Sequence, residues 1–515
     1  MNIAHQEFKG ESAMMEATTA RQASRVIRTI AGVALACATL ALAFAPAAVA
    51  QGGGKGTDMS KVERLNRAPV NKEVLRVQLP KPVVTKLANG MTVVMLEDHK
   101  LPTVAFTMMI RPGQLADPAD LPGLASFTAD MLTEGTAKRT SEQIANEVAS
   151  IGASLNAGAR FGSGVSSVNA SGLISDTAQI LDLMSDVVLH PAFPESELAK
   201  YKQRAQSDLE QRLANPGFLA QQAYRRVLYG DAPLGVNSAT KESVDKVTVA
   251  DLKKFHDDHY RAGNTILGVT GDFHANEMKT MVEKYFGAWA GAAEPPAKFS
   301  PTPKQEAAKI TLVDRPNSVQ TYLVEGDRAI RRDDPQYYAF TVMNQIEGGG
   351  PQARLFLDLR EEHSLTYGAY SRTNADIYPG DWQASSPVRT KVTGDAMERF
   401  TYEFKKINNE PVPANELDDA RRAIVAGFAI SLEQPAQLLN AFVNVEYFGL
   451  PKDYWDKYPD HISAVDAAAV QAAAKKFIDL DHMQWIAVGD RKQIQDALAK
   501  YGPVSVVDVN GKAEN

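Results

Sequence analysis

The chain has 515 residues, enough for two to four domains, and its 44% hydrophobic and 23% charged content is typical of a soluble globular protein. Its formal net charge of −7 argues against nucleic acid as the default partner. The single cysteine, Cys37, lies in the N-terminal segment considered next, so the remainder of the chain offers no thiolate nucleophile, cysteine metal ligand or disulfide.

The first 50 residues have the pattern of an export signal. Three arginines precede an apolar run at 30–44, and the small-residue sequence A-V-A ends at Ala50. The alternative is a membrane anchor, but the apolar run is short for a bilayer span. We therefore expect a signal peptide over 1–50, a flexible Gly-rich leader over 51–78, and a periplasmic mature protein.

From residue 79 to residue 290 the sequence alternates between strand and helix patterns. An Asn-Gly turn at Asn89 lies between two β-rich runs and predicts a hairpin. Thr140 or Ser141 is the expected cap of the second helix. The hydrophobic periodicity predicts strands at 92–97, 104–110, 154–159, 165–173 and 265–270, and helices at 124–132, 141–151, 177–189, 195–213 and 250–259.

The second half repeats features of the first. The sequence P-E-S-E-L at 194–198 is echoed by P-A-N-E-L at 413–417, and each opens a long helix that runs into a proline, Pro216 or Pro435. V-T-G-D, ending at residue 272, is likewise echoed by V-G-D. A nearly constant offset between such pairs indicates duplication.

A proline-rich segment, 291–309, is the expected linker between the two halves. The sequence thus predicts an α+β fold of two homologous domains, each a mixed sheet packed with helices, over 79–290 and 310–502. A tail over 503–515 follows.

A run of three glycines stands ahead of a helical pattern at 353–362: Gly348, Gly349 and Gly350. Glycine allows the chain to bend sharply or to come close to a ligand. The helix carries Arg360, whose planar fork of donors grips carbonyl and carboxylate oxygens, and Tyr367 follows with a hydroxyl donor. These residues are candidates for binding an oxygen-rich substrate. The alternative is a simple turn before a solvated arginine that favours the helix dipole.

The string ARLFLDLREEHSLTYGAY, residues 353–370, resembles the C-terminal signature of the pitrilysin/insulinase family of zinc peptidases. In that family an Arg and a Tyr at this separation bind the substrate backbone and help to hold the reacting carbonyl, and they match Arg360 and Tyr367. The resemblance covers roughly 79–502 and implies two homologous domains that form a clamshell when paired with a second subunit.

The resemblance also includes GLASFTADMLTEGT, residues 123–136, which is similar to the helix that binds zinc in the family's catalytic members. Those members carry H-x-x-E-H, in which two histidines bind zinc and the glutamate activates water. In this chain the matching positions hold Ser126, Ala129 and Asp130. Serine is a poor zinc ligand, alanine cannot act as a base, and one aspartate alone holds no zinc.

Other residues do not rebuild that zinc site. A further carboxylate is expected on the helix at 195–213, at Asp208 or Glu210, but it would stand alone. His256 and His259 are the only close histidine pair, and they lack a third ligand and a base. His363 has no ligand spacing and is expected to be a local polar residue.

A chain that keeps the Arg/Tyr signature and lacks the zinc motif resembles the non-zinc subunit of a bacterial two-subunit peptidase. The resemblance implies no cofactor in this chain, zinc in a homologous partner subunit, and a peptide substrate. It implies neither nucleic acid as a partner nor a membrane span after signal cleavage. A non-catalytic structural or binding homologue, and a stand-alone hydrolase with an unrecognised site, remain as alternatives.

Overall fold

The computed structural model describes residues 79–295 and 305–514, which belong to one compact unit, Glu73–Asn515. The predicted signal peptide and leader, and residues 296–304 of the predicted linker, lie outside the described residues. Within the described residues, no helix combines the length and the apolar character needed to cross a membrane.

The first half is built from six strands and eight α-helices among the described residues. The strands are β1 (Val83–Lys86), β2 (Thr92–Glu97), β3 (Thr103–Ile110), β4 (Ser154–Ala159), β5 (Ser166–Leu173) and β6 (Thr265–Gly271). The helices are α1 (Leu124–Asp130), α2 (Ser141–Ser150), α3 (Thr177–Leu189), α4 (Glu195–Leu213), α5 (Pro216–Tyr229), α6 (Lys241–Lys246), α7 (Val249–His259) and α8 (Ala275–Phe286).

The second half has the same numbers of strands and helices in its described part. The strands are β7 (Lys309–Asp314), β8 (Gln320–Arg328), β9 (Tyr370–Asn374), β10 (Asp381–Arg389), β11 (Gln484–Gly489) and β12 (Val504–Val507). The helices are α9 (Tyr337–Glu347), α10 (Arg354–Phe356, continued by a π-helix over Leu357–Glu362), α11 (Thr393–Asn409), α12 (Ala414–Ser431), α13 (Pro435–Phe448), α14 (Tyr454–Ser463), α15 (Ala467–Phe477) and α16 (Arg491–Leu498).

Both halves fold as a six-stranded mixed sheet with the same internal order. The first sheet runs β1-β2-β6-β3-β5-β4 and the second β12-β7-β11-β8-β10-β9. In each sheet two neighbouring strands are parallel, β2 with β6 and β7 with β11, and the strands that follow in the order are antiparallel. This shared topology confirms the predicted α+β fold of two homologous mixed-sheet domains.

The two sheets differ at one edge. In the first sheet the edge strand is β1, which forms the predicted hairpin with β2 across the turn at Asn89. In the second sheet it is β12, which pairs in parallel with β7. Because β12 falls within 503–515, the second half extends beyond the boundary at residue 502 that the sequence suggested.

Each half contributes one helix to the sheet of the other half. Leu219 and Tyr224 of α5 pack in a buried cluster with Val324 and Ile486 of the second sheet. In return, α13 covers β2 and β6, where a Cβ on Gly268 would lie 2.7 Å from a methyl carbon of Val443. The reciprocal exchange interlocks the two halves.

Candidate functional site

The helix that carries Arg360 begins as an α-helix and continues in π geometry. The amide of His363 donates to the carbonyl oxygen of Asp358, five residues earlier, over 3.1 Å. π-Helical turns are rare in proteins, and those that do occur are often at functional sites. The sequence predicts a helix over 353–362 but not this local widening, which includes Arg360.

Arg360 and Tyr367 line the same cavity, which has a volume of about 320 Å³. Tyr367 is 88% exposed, and its hydroxyl has no hydrogen-bond partner among the described residues. The guanidinium of Arg360 lies 4.8 Å from the centroid of the Phe356 ring, and its Nε is 3.3 Å from Oε1 of Glu361. Both side chains are therefore accessible and keep donors available for a ligand.

Arg389 lines the cavity as well and was not predicted from the sequence. It is the last residue of β10, and it faces Gln320, the first residue of β8, in the antiparallel register. One of its Nη atoms donates to the carbonyl oxygen of Ser364 over 3.1 Å. Strand pairing brings it to the cavity, and no local motif marks it.

The three glycines do not line this cavity. Gly348 packs so closely on β9 that a Cβ would collide with the amide nitrogen of Ser371. A Cβ on Gly349 would lie 2.7 Å from Cα of Gln345, whereas one on Gly350 would make only an ordinary contact of 3.9 Å with Nε2 of Gln345. Close packing on β9 thus accounts for Gly348 and close packing on the end of α9 for Gly349, and the structure does not place the glycine run beside Arg360 and Tyr367.

An ion pair between Arg399 and the buried carboxylate of Asp358 stabilises the helical segment that carries Arg360. Nε of Arg399 donates to Oδ1 of Asp358 over 2.7 Å, and Nδ1 of His363 lies 3.0 Å from the same oxygen. Burial acts to raise the pKa of Asp358, but the bonds from Arg399 and the charges nearby outweigh it and hold the pKa below its usual range. This pairing fixes the segment that presents Arg360.

Glu347, the last residue of α9, is fully buried. Neither of its carboxyl oxygens has a hydrogen-bond partner among the described residues. Burial raises the pKa of Glu347 to about 8, and the positive charge of Arg354 opposes the effect only in part. The carboxyl group is therefore protonated at neutral pH.

The positions matching the zinc motif lie on α1 and are occupied by other contacts. Ser126 Oγ donates to the carbonyl oxygen of Ala159 over 2.6 Å, and Ala129 is buried. Asp130 accepts a short hydrogen bond from the hydroxyl of Tyr201. Burial raises the pKa of Asp130, and the bond from Tyr201 opposes that shift.

Ser126 and Asp130 line a cavity of about 500 Å³, whereas Ala129 does not. Asp208 also lines it, whereas Glu210 does not. Three arginines complete much of the polar wall: Arg160, Arg204 and Arg212. This cavity does not fit a zinc ion, which needs three or four neutral or anionic ligands. The hydroxyl of Ser126 and the carboxylate of Asp130 already have partners, and Asp208 is a single further carboxylate beside three positively charged guanidinium groups.

The remaining histidine candidates have separate partners. Nε2 of His256 lies 2.8 Å from the carbonyl oxygen of Val188, and burial lowers the pKa of this ring. Nδ1 of His259 is 3.2 Å from Oε2 of Glu294. In the described part of the chain, neither histidine belongs to a group of three residues that could share a metal ion.

Two family models match the chain, one in each half. The model described as insulinase (peptidase family M16) matches residues 92–235, and the model described as the peptidase M16 inactive domain matches residues 246–424. The first segment contains the degenerate helix α1, and the second contains Arg360 and Tyr367.

Similar proteins point to the same family. An uncharacterized zinc protease of Bacillus subtilis is 22% identical over 396 residues, which is 76% of this chain and 95% of that protein. An uncharacterized zinc protease of Rickettsia felis is 27% identical over 331 residues, 64% of this chain and 76% of the relative. A crystal structure of a peptidase M16 inactive domain from Pseudomonas fluorescens is 28% identical, covers 80% of this chain and 98% of its own, and has a TM-score of 0.74. From the two matched segments and the shared two-sheet fold, we conclude that the chain belongs to the M16 (insulinase) peptidase family.

Proposed function

We propose that this protein is the substrate-binding, catalysis-assisting subunit of a periplasmic zinc metallopeptidase that degrades or processes peptides. The observation that carries the proposal is a contrast between two cavities. At one, Arg360 and Tyr367 are exposed with donors available; at the other, the positions of the zinc motif hold Ser126, Ala129 and Asp130. The relatives named as zinc proteases support a role in proteolysis.

In this proposal a homologous partner subunit contributes the zinc ion and the water that it activates. This chain contributes donors that meet the peptide. The guanidinium of Arg360 and the hydroxyl of Tyr367 bind the carbonyl oxygen as negative charge develops on it, which is the form of stabilisation that contributes most in many acyl-transfer enzymes. Arg389, on the same cavity wall, adds positive charge that favours the same oxygen.

The edge of the second sheet favours an extended peptide as the substrate. Among the described strands β9 pairs with β10 alone; on its other side the amide of Ser371 donates to the carbonyl oxygen of Gly348, which leaves the rest of that edge for a peptide. Thr366 forms a further bridge to Val388, which extends the same edge to the residue before Tyr367. Exposed strand edges bind extended peptides by strand addition.

Export is part of the proposal and is tested separately. The signal peptide predicted over 1–50 lies outside the described residues, so support comes from its basic, apolar and A-V-A segments alone. N-terminal sequencing of the protein from a periplasmic extract should find Gln51 as the first residue. A mature form that retains residues 30–44 would contradict this part.

The main experiment combines the purified mature chain with a purified zinc-bearing homologue from the same organism. We expect the two to co-elute, and we expect hydrolysis of a quenched fluorescent peptide only when both are present. A partner whose motif glutamate is replaced by glutamine is the matched control, and it should pair without activity.

Each other outcome selects an alternative. Co-elution without a gain in rate indicates a structural or binding homologue. Hydrolysis by this chain alone indicates a stand-alone hydrolase. The absence of both co-elution and a gain in rate would contradict the proposal.

A further inference from the structure

Four polar residues meet at one edge of the first sheet because two parallel strands end there. Glu97 is the last residue of β2 and pairs with Gly271, the last residue of β6. His99 follows β2, whereas Asp272 and His274 follow β6. The strand pairing therefore joins residues that are about 175 positions apart in the chain, at the carboxyl ends of neighbouring parallel strands.

Three of these side chains are spaced as metal ligands are. One ligand atom from each of Glu97, His99 and His274 lies within 4.8 Å of the other two, and no other such group occurs within residues 79–295 and 305–514. Oε2 of Glu97 is 3.4 Å from Nε2 of His99 and 3.9 Å from Nδ1 of His274. Ligands about 2.0–2.2 Å from a tetrahedral zinc ion lie roughly 3.3–3.6 Å from each other. Small side-chain rotations would thus suffice to close the site.

The imidazole of His99 is held in the orientation that metal binding through Nε2 needs. Its Nδ1 lies 2.7 Å from Oδ1 of Asp272. A carboxylate only accepts hydrogen bonds, so Nδ1 carries a proton, and a bound metal ion would replace the proton that Nε2 shares with Oε2 of Glu97, 3.4 Å away. Carboxylates that orient a metal-binding histidine in this way are a common part of zinc sites.

The carboxylate of Glu97 is fixed as well. Its Oε1 accepts a hydrogen bond from the backbone amide of Ala275 over 2.8 Å at the start of α8. This bond leaves Oε2 as the oxygen that faces the two imidazole rings. The site therefore has one ligand oxygen and one ligand nitrogen already oriented by neighbours outside the ligand set.

We propose that Glu97, His99 and His274 bind one divalent transition-metal ion of the zinc class, with Asp272 as the residue that positions His99. Two imidazole nitrogens and one carboxylate oxygen suit zinc, nickel or copper better than magnesium or calcium. All three ligands are exposed, so the remaining coordination positions face solvent. The site shares no residue with α1 or with the Arg360 cavity, so it is separate from the catalytic metal assigned above to the partner subunit.

The test is a calorimetric titration of the chelator-treated mature chain with zinc chloride. We expect one zinc ion per chain, and an affinity at least tenfold lower in His99→Ala and in His274→Ala. Glu97→Gln should have the same effect, and it retains an oxygen that can accept from Ala275. Asp272→Asn should weaken binding about 10–100-fold, as changes to orienting residues of zinc sites typically do.

His482→Ala is the matched control, because His482 also lies 2.7 Å from a carboxylate, that of Asp479, but has no third ligand nearby in the described residues. This variant should bind zinc like the unmodified chain. Visible absorption of bound cobalt(II), lost in His99→Ala and kept in His482→Ala, gives a second readout.

Failure to bind zinc at millimolar concentration would overturn the proposal. So would equal affinity in the unmodified chain and in a variant carrying Glu97→Gln, His99→Ala and His274→Ala together. Circular dichroism confirms that each variant is folded. Because the measurement is binding to the isolated chain, its outcome is independent of pairing and of peptidase activity.

Discussion

Tyr224, in the helix that the first half contributes to the second sheet, donates a hydrogen bond of 2.8 Å to the backbone carbonyl oxygen of Trp382. Both side chains are fully buried. Burial raises the pKa of Tyr224 well above its usual value, so the hydroxyl stays protonated and remains a donor. The bond joins the crossing helix α5 to strand β10, and it ties the two halves together at a point with no access to water.

Removing this hydroxyl should destabilise the interlocked halves. We expect Tyr224→Phe to lower the free energy of unfolding by about 1–3 kcal/mol, because a buried group then loses its partner. Tyr367→Phe is the control, since that hydroxyl is exposed and a surface change of this kind typically alters stability by less than about 0.5 kcal/mol. Chemical denaturation measures both. Equal stability of the two variants would show that the bond across the halves contributes nothing.

The sequence does not predict the two helices that cross between the halves, α5 and α13. The sequence predicts the long helices α4 and α12, and α4 over its full extent of Glu195–Leu213, but at Pro216 and Pro435 it predicts only the ends of these helices. In the structure each proline is the first residue of a new helix, α5 or α13, a position where proline's missing amide and fixed φ are tolerated. A proline both ends one helix and begins the next, and periodicity alone does not reveal which sheet the second helix covers.

The candidate sites also combine residues that are close in the sequence with residues that only strand pairing brings together. Arg360 and Tyr367 are seven residues apart, so a single helix and the loop after it bring them to one cavity, and their spacing in the sequence is enough to predict that they lie close together. Arg389 and His274 reach their sites only through strand pairing, in β10 with β8 and in β6 with β2. The sequence carries no short-range signal for either, because register and sheet order are properties of the folded chain.

Glu347 predicts a specific dependence of stability on pH. Its pKa is raised to about 8 in the folded protein, chiefly by burial, against an ordinary value of 4.5. The folded state therefore holds a proton that the unfolded state releases, and the stabilisation present below about pH 4.5 is lost as the pH rises towards 8. From pH 5 to pH 8 this group should lower the free energy of unfolding by about 3 kcal/mol.

Glu347→Gln tests that dependence, because glutamine keeps the shape and carries no charge. The variant should resemble the unmodified chain at pH 5 and be more stable than it at pH 8, as measured by denaturation at both values. Glu410→Gln, an exposed change, is the control and should follow the unmodified chain throughout. A parallel decline in the unmodified chain and Glu347→Gln would show that the group is already ionised in the folded state.

The degenerate helix α1 predicts no tightly held zinc at its motif positions. Elemental analysis of the chain before and after Asp130→Asn should give the same zinc content, because Asp130 is engaged by Tyr201 and faces an arginine-rich wall. Any zinc that the chain does hold should instead be lost in His99→Ala. About one zinc per chain that disappears on Asp130→Asn and stays on His99→Ala would contradict this assignment.

The last prediction concerns Arg360 and Tyr367 in the assembled peptidase. Tyr367→Phe removes one donor to the developing oxyanion, and loss of such a donor typically lowers kcat by a factor of about 10²–10³. Arg360→Ala should lower kcat and also raise KM, because a guanidinium binds the ground-state carbonyl as well as the transition state. Folding and pairing should persist in both, since the two side chains are exposed and Arg360 has only its neighbour Glu361 as an ion-pair partner in the described residues.

Two exposed positions outside the cavity are the matched controls, Arg331→Ala and Tyr402→Phe, and they should retain the parental kcat/KM. Co-elution with the zinc-bearing partner and an unchanged melting temperature establish that each variant is folded and paired before its rates are compared. If Arg360→Ala and Tyr367→Phe then showed the same kcat/KM as the two controls, the cavity would not contact the reacting peptide. The exposed donors at 360 and 367 would in that case serve binding or assembly and not the reaction.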